Sequence, residues 1–257
     1  MRVAVLLTGQ LRDSFINYKN HIKCFFEPNN VDVFLVTSNK NFYYTKGNPN
    51  PLTFKFSLHS EDSVQNIEKI IKEQYNDYLK DYIIKTDEII PEGFGTPEYY
   101  RYFIRNQFNN NKLAFQLAND YAKKNNFSYD VFVRLRIDKT IFSKPVVITE
   151  KSILAILTNI EPAQFFMIAN YNQMEHYCKF NYLEGYKHKP GNIFGQGFPH
   201  APDEIYKHMK ARCRLNIVNN ILKIYQNNDN TICDFPYKNN DDNRIAWNAS
   251  GSVPQKF

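Results

Sequence analysis

Cysteine is sparse in this chain of 257 residues, with four in all: Cys24, Cys178, Cys213 and Cys233. No two of them form a C-x-x-C pair, which argues against a zinc knuckle and a dithiol redox motif. Isolated cysteines in a chain of this size read as reduced thiols, the state expected in the cytoplasm. Long apolar runs are missing as well. The run Val3 to Leu7 is too short for a signal-peptide core, and no stretch reaches the roughly 18 apolar residues of a membrane span. The expectation is a soluble protein with no transmembrane segment. Glycine is scarce, nine residues, and neither G-x-G-x-x-G nor G-x-x-x-x-G-K-[ST] occurs, so a dinucleotide fingerprint and a P-loop are disfavoured. H-E-x-x-H and G-x-S-x-G are absent too, which argues against a zinc peptidase and a triad hydrolase.

Charge of one sign is not concentrated anywhere. Thirty-two Lys and Arg are interspersed with 26 Asp and Glu, for a net charge of +6. A nucleic-acid binder gathers its basic residues into a stripe, so no nucleic-acid partner is expected. A basic pocket for a phosphorylated small molecule remains compatible with this balance.

What is present is an α/β pattern. Hydrophobic residues make up 43% of the chain, enough for one sizeable core. "RVAVLLT" and "VDVFLVTS" are continuous apolar runs, the pattern of strands buried on both faces in a parallel sheet. Between them "FINYKNHIKCFF" reads as a helix, giving a right-handed βαβ unit. "LTFKFSL" reads as an edge segment and "YIIK" as a short strand. Ser60 or Ser63 caps an amphipathic helix carrying Val64, Ile67, Ile70 and Ile71, with Asp and Glu in its first turn. A long helix over 99–125 buries Leu113, Leu117 and Tyr121 with Ala114, Ala118 and Ala122, and the strand "YDVFVRLRI" follows it. Further on, the pattern suggests an edge strand "FSKPVVI", a short helix "KSILAIL", a strand "AQFFMIA", an irregular stretch from 170 to 201, and two helices over 202–226.

Alternating strands and helices argue for a mostly parallel central sheet flanked by helices. In such sheets ligands bind at the carboxyl ends of the strands. Those ends carry Thr8-Gly9-Gln10 with Arg12, Thr37-Ser38, and Arg136 with Asp138, which topology should bring to one rim. Gly9 permits close backbone approach, and Arg12 suits phosphate oxygens; a plain turn with a surface arginine explains the same residues. Arg134, Arg136 and Asp138 are spaced by two, hence on one strand face. Asp138 then either holds a divalent metal that in turn holds a diphosphate, or belongs to a structural Arg–Asp network. In "GQGFPHAPDEIY", Asp203 and Glu204 suit either a helix N-terminus or a general base, with His200 nearby. Lys112, on the long helix, is a solvated lysine or lines the pocket from the side.

Three stretches, "MRVAVLLTGQLR", "NKLAFQLANDYAKKNNFSYDVFVRLRID" and "GQGFPHAPDEIYKHM", resemble small nucleotide-sugar glycosyltransferases of the GT-A fold. These occur in bacterial polysaccharide clusters and in large DNA viruses. The resemblance covers roughly residues 1–40 and 100–210, and R-x-R-x-D after a long helix is its most specific part. It implies a single GT-A-like domain, with a Rossmann-like nucleotide-binding half (1–140), an acceptor half (141–226) and a C-terminal tail or lid (227–257). It also implies transfer of a sugar from a nucleoside-diphosphate sugar to a glycan or other hydroxyl acceptor, in the cytoplasm (the host's, if viral). Thr8, Gly9, Gln10, Arg12, Lys112 and Arg136 would meet the nucleotide or diphosphate, and Asp138 a Mn²⁺ or Mg²⁺ ion. Asp203, with Glu204, would serve catalysis. The sequence departs from the D-x-D pattern at Arg136-Ile137-Asp138, where one carboxylate is missing. A nucleotidyltransferase and a non-catalytic nucleotide- or carbohydrate-binding module are the alternatives.

Overall fold

The computed structural model describes residues 1–12, 14–45, 55–86, 97–138, 140–142, 144–149, 156–158, 166–179, 215–217, 222–226 and 231–234. The chain opens with β1 (Val3–Thr8) and α1 (Ser14–His21). A π-helical turn (Ile22–Phe26) and a short turn, α2 (Glu27–Asn29), continue α1 until Asn30 closes them in the left-handed region at φ 47°. β2 (Val31–Ser38) follows, then an antiparallel ribbon of β3 (Lys40–Thr45) and β4 (Lys55–Glu61). Next come α3 (Val64–Tyr75), β5 (Leu79–Lys85), the long α4 (Pro97–Lys124) and β6 (Val131–Arg136). β7 (Thr140–Phe142), β8 (Ile156–Thr158), β9 (Phe166–Ala169) and α5 (Tyr171–Cys178) lead to three last strands. These are β10 (Leu215–Ile217), β11 (Leu222–Gln226) and β12 (Thr231–Asp234).

Seven strands form the central sheet in the order β10-β8-β9-β6-β1-β2-β5. Only β9 runs against its neighbours among them, so the sheet is mostly parallel. β1 lies between β2 and β6 in a register that sets Thr8 opposite both Val36 and Arg136. The buried runs explain the placement. Val3, Val5 and Leu7 face one way, with Val33, Leu35, Val133, Leu135, Phe25, Phe26 and Ile67. Ala4 and Leu6 face the other, with Phe34, Val36, Phe132, and Ala114, Phe115 and Ala118 of α4. Both faces are covered by helices, as a parallel sheet requires.

Local signals behave as their chemistry dictates. Ser63 caps α3, its hydroxyl accepting the Asn66 N–H at 3.1 Å. Asp62 and Glu61 precede that cap and do not enter the first turn; Val64 is exposed, while Ile67 and Ile71 are buried.

Four expectations are corrected. β10 and β11 stand within the stretch read as two helices over 202–226; "LKIYQ" alternates apolar and polar residues and pairs with both β7 and β12. Ile156 and Leu157, read as the end of a short helix, belong to β8 (Ile156–Thr158), held between β9 and β10. The edge strand read over "FSKPVVI" ends at Phe142. Past Lys144 the chain is pinned by helical-side groups instead: Val146 N–H donates to the Cys24 carbonyl at 2.9 Å and Ile148 N–H to Asn29 Oδ1 at 2.7 Å. The stretch from 170 opens with α5, whose signal is a reciprocal Asn170–Gln173 capping box.

Candidate functional site

The C-terminal ends of β1, β2, β5 and β6 form one rim. The main chain continues the sheet one step beyond the strands, with Gly9 N–H donating to the Val36 carbonyl at 3.2 Å and Ile137 N–H to the Thr8 carbonyl at 3.1 Å. The first ties the turn after β1 to β2, and the second ties the turn after β6 to the end of β1.

Asp138 sits in that junction, fully buried. Arg136 donates to it twice, Nε to Oδ1 at 2.6 Å and Nη2 to Oδ2 at 3.2 Å. Arg12 donates Nη1 to Oδ2 at 3.0 Å. The carboxylate is thus gripped from the end of its own strand, β6, and from the turn after β1, in charge-assisted bonds of the strong kind. Arg12 is itself fixed at three points. Its Nε donates to Gln10 Oε1 at 2.8 Å and its main-chain N–H to Asn41 Oδ1 at 3.1 Å. Its φ is +31°, a left-handed value uncommon for arginine. Backbone strain of this sort persists where surroundings enforce it, and it gathers at ligand sites.

Gly9 serves this junction. At φ +129° it occupies a region that favours glycine, and a Cβ there would lie 3.2 Å from Ile137 Cγ2 and 3.5 Å from Asp138 Oδ1. The close approach it allows is to the turn after β6.

Beneath the rim, on the α4 face, lies a second buried polar layer. Thr8 donates its hydroxyl to Asn111 Oδ1 at 2.8 Å, and Arg134 Nε donates to the same oxygen at 3.3 Å. Asn111 Nδ2 donates to the Tyr177 hydroxyl at 2.9 Å. Arg134 is 1% exposed. Burial lowers its pKa to about 10, with Tyr177 and Asp138 opposing that shift and Arg136 adding to it. It stays charged at neutral pH. Three guanidiniums therefore gather around Asp138: two touching it and one behind. Lys85, at the end of β5, donates to Asn106 and Asn110 of α4 and adds a further cation to the same rim.

Arg12, Arg136, Asp138, Thr8, Gly9 and Gln10 are thus brought together. Lys112 is exposed on the outer side of α4. It is Asn111, one residue earlier, that faces inward. Asn111, Tyr177 and Asn41 gave no sequence signal, since polar residues in helices and strand ends are ordinarily solvated. Asp203 and Glu204 lie outside the described residues.

The fit of a divalent cation can be judged from Asp138. Such an ion takes about six oxygen ligands, typically several of them carboxylates. Here both oxygens of the single carboxylate already receive guanidinium N–H groups. Among the described residues no group of three or more His, Cys, Asp or Glu is arranged to hold a metal. The described residues at Asp138 do not fit a Mn²⁺ or Mg²⁺ site; they fit an arginine clamp. Among the same residues, no helix is long and apolar enough to cross a membrane.

Comparison with protein-family models gives no match, and comparison with curated proteins gives none either.

Proposed function

We propose that this chain is a glycosyltransferase that moves a sugar from a nucleoside-diphosphate sugar to a hydroxyl acceptor. The observation that carries the reading is the Arg12–Asp138–Arg136 clamp at the carboxyl ends of β1 and β6. That is where an open α/β sheet binds its ligand, and guanidiniums held at fixed angles are the side chains best suited to diphosphate oxygens. The R-x-R-x-D resemblance supplies the reaction class.

In the reaction, the acceptor oxygen forms a bond to the anomeric carbon as the bond from that carbon to the diphosphate oxygen breaks. The nucleoside diphosphate leaves with the bonding electrons. The hydroxyl proton passes to a carboxylate, for which Asp203 and Glu204 are the candidates. Charge growing on the leaving phosphate is met by Arg12 and Arg136, already oriented by Asp138 before substrate arrives. Asp138 acts here as a positioning residue.

The test is a melting-temperature series with UDP, GDP, CDP and dTDP, with EDTA or with Mn²⁺. At least one nucleotide should raise the melting temperature in EDTA, and Arg136→Ala should abolish the rise. Release of nucleoside diphosphate from the matching sugar donor should need acceptor and be lost in Asp203→Asn or Glu204→Gln while binding remains. A rise only with Mn²⁺ would return the diphosphate to a metal. Binding with no transfer to any acceptor would make the chain a binding module.

A further inference from the structure

Arg134 stands where a buried strand ordinarily places an apolar side chain. It lies in the middle of the central sheet, on β6, opposite Leu6 of β1 and Met167 of β9. Its side chain turns to the α4 side, the side on which Leu6, Phe132 and Ala114 pack. Taking a guanidinium out of water is expensive, and only good partners repay it. The bond that its Nε makes goes to a neutral oxygen, Asn111 Oδ1 at 3.3 Å, which the Thr8 hydroxyl shares. Among the described residues, the carboxylate that supports its charge is Asp138. That carboxylate is already bonded by Arg12 and Arg136. Neither packing nor the clamp requires a third guanidinium.

Three guanidiniums and one carboxylate leave this junction with positive charge in surplus. Lys85 adds another cation at the same rim. Arg136 and Arg134 repel one another, a tension that an anion at the rim relieves. Charge behind a wall of protein is screened less than charge in water, so it reaches further.

We infer that Arg134 is a further positioning residue of the anion site: it sets the charge of the rim from behind, without touching the ligand, and fits the rim to a diphosphate over a less charged anion. The inference rests on the proposed reading in taking the rim as the phosphate site. In transfer, negative charge grows on the diphosphate as its bond to the sugar breaks. A fixed positive charge behind the clamp stabilises that growth and needs no rearrangement.

The experiment is calorimetric titration of the full chain, in EDTA, with inorganic pyrophosphate and with sulfate. Arg134→Met removes the charge and keeps a long side chain; Arg134→Lys keeps the charge. Asn111→Asp leaves the arginine in place and keeps an oxygen for Thr8 and Arg134. It sets a carboxylate against the guanidinium, which favours the ionised form. One unit charge at about 10 Å, at an effective dielectric constant of about 20, changes affinity on the order of tenfold for each charge on the ligand. Pyrophosphate should therefore bind at least about tenfold more weakly in Arg134→Met and in Asn111→Asp, and within roughly threefold of the parent in Arg134→Lys. Sulfate, with less charge, should lose less, so the preference for pyrophosphate should narrow in both neutralised variants. Parent-like pyrophosphate affinity in Asn111→Asp overturns the inference, and this variant decides the matter even where Arg134→Met does not fold. Equal losses of pyrophosphate and sulfate, or a loss in Arg134→Lys as large as in Arg134→Met, also overturn it, because shape and not charge would then be what Arg134 supplies. If the parent binds pyrophosphate but no nucleoside diphosphate, the glycosyltransferase reading falls and the role of Arg134 stands on the variants. Binding of neither overturns both.

Discussion

Arg12 and Asp138, 126 residues apart in sequence, meet at 3.0 Å across the ends of two neighbouring strands. Their side chains are 9% and 0% exposed. Breaking a buried pair by removing one partner leaves the other charge stranded, at a cost of roughly 3–5 kcal/mol. Asp138→Ala should therefore lose stability on that scale in urea unfolding, with the slope unchanged. Asp138→Asn keeps an oxygen for Arg136 or Arg12 and should lose less. A loss under about 1 kcal/mol in Asp138→Ala would show that the two arginines find other support and that Asp138 does not orient them.

Gly9 gives a sharper test of the same junction. Gly9→Ala places a Cβ at φ +129° and 3.2 Å from Ile137 Cγ2. The backbone position alone costs about 1–3 kcal/mol for a residue with a Cβ. The variant should melt lower. Combined with Ile137→Ala, which removes the struck methyl, the double variant should be less destabilised than the sum of the singles. Strict additivity would show that the backbone, and not the contact with Ile137, is what requires glycine.

The strands were the readable part. β1, β2 and β6 are unbroken apolar runs, and such runs are buried on both faces wherever helices cover a sheet. From those strands the rim follows by topology, so Arg12, Arg136 and Asp138 were legible as neighbours. Whether Asp138 meets a metal or belongs to an Arg–Asp network stays open in the sequence, because that depends on side-chain angles at a turn. The layer below was hidden by helical geometry. Asn111 and Lys112 differ by one position, about 100° around α4. Of the two readings of Lys112, a solvated lysine or one lining the pocket, the structure shows the exposed one; the asparagine is buried, at 0% exposure. Short strands such as β8 and β10 have too few residues to establish a period, so neighbours alone decide their form.

Asn111 should matter far more than Lys112. Its side chain binds Thr8, Arg134 and Tyr177. Asn111→Leu strips a partner from each, and an orphaned buried polar group costs about 1–3 kcal/mol. Unfolding free energy should fall by at least that amount. Asn111→Asp keeps an acceptor for Thr8 and Arg134, and the Tyr177 hydroxyl can turn to donate, so the loss should be smaller. Lys112→Ala, on the exposed side, should stay within about 0.5 kcal/mol of the parent. Equal losses at the two positions would place the hydrogen-bonded hub elsewhere.

Burial also sets how the fold responds to alkali. The Cys178 thiol is pushed from 9.0 up to about 12, first by burial, with Lys112 opposing and Glu175 adding. Between those values the unfolded chain releases a proton that the folded chain retains. The folded state then binds more protons, so stability falls as pH rises. Burial also raises Tyr75, Tyr129 and Tyr177 above their ordinary 10.0, which acts in the same direction from about pH 10. Arg134 works the other way: lowered from its ordinary value to about 10, it favours the folded state above that pH. One guanidinium stands against three phenols and a thiol, so the net slope is downward. The urea midpoint should be level from neutrality to about pH 9 and decline above it. Cys178→Ala should flatten the first part of that decline, between about pH 9 and 10, before the tyrosines contribute. In the native protein Cys178 should resist a thiol-alkylating reagent that modifies the half-buried Cys24. A midpoint that stays level to pH 11, or a Cys178 alkylated as fast as Cys24, would mean that the α4–α5 seam opens to water and that these groups are not shielded by it.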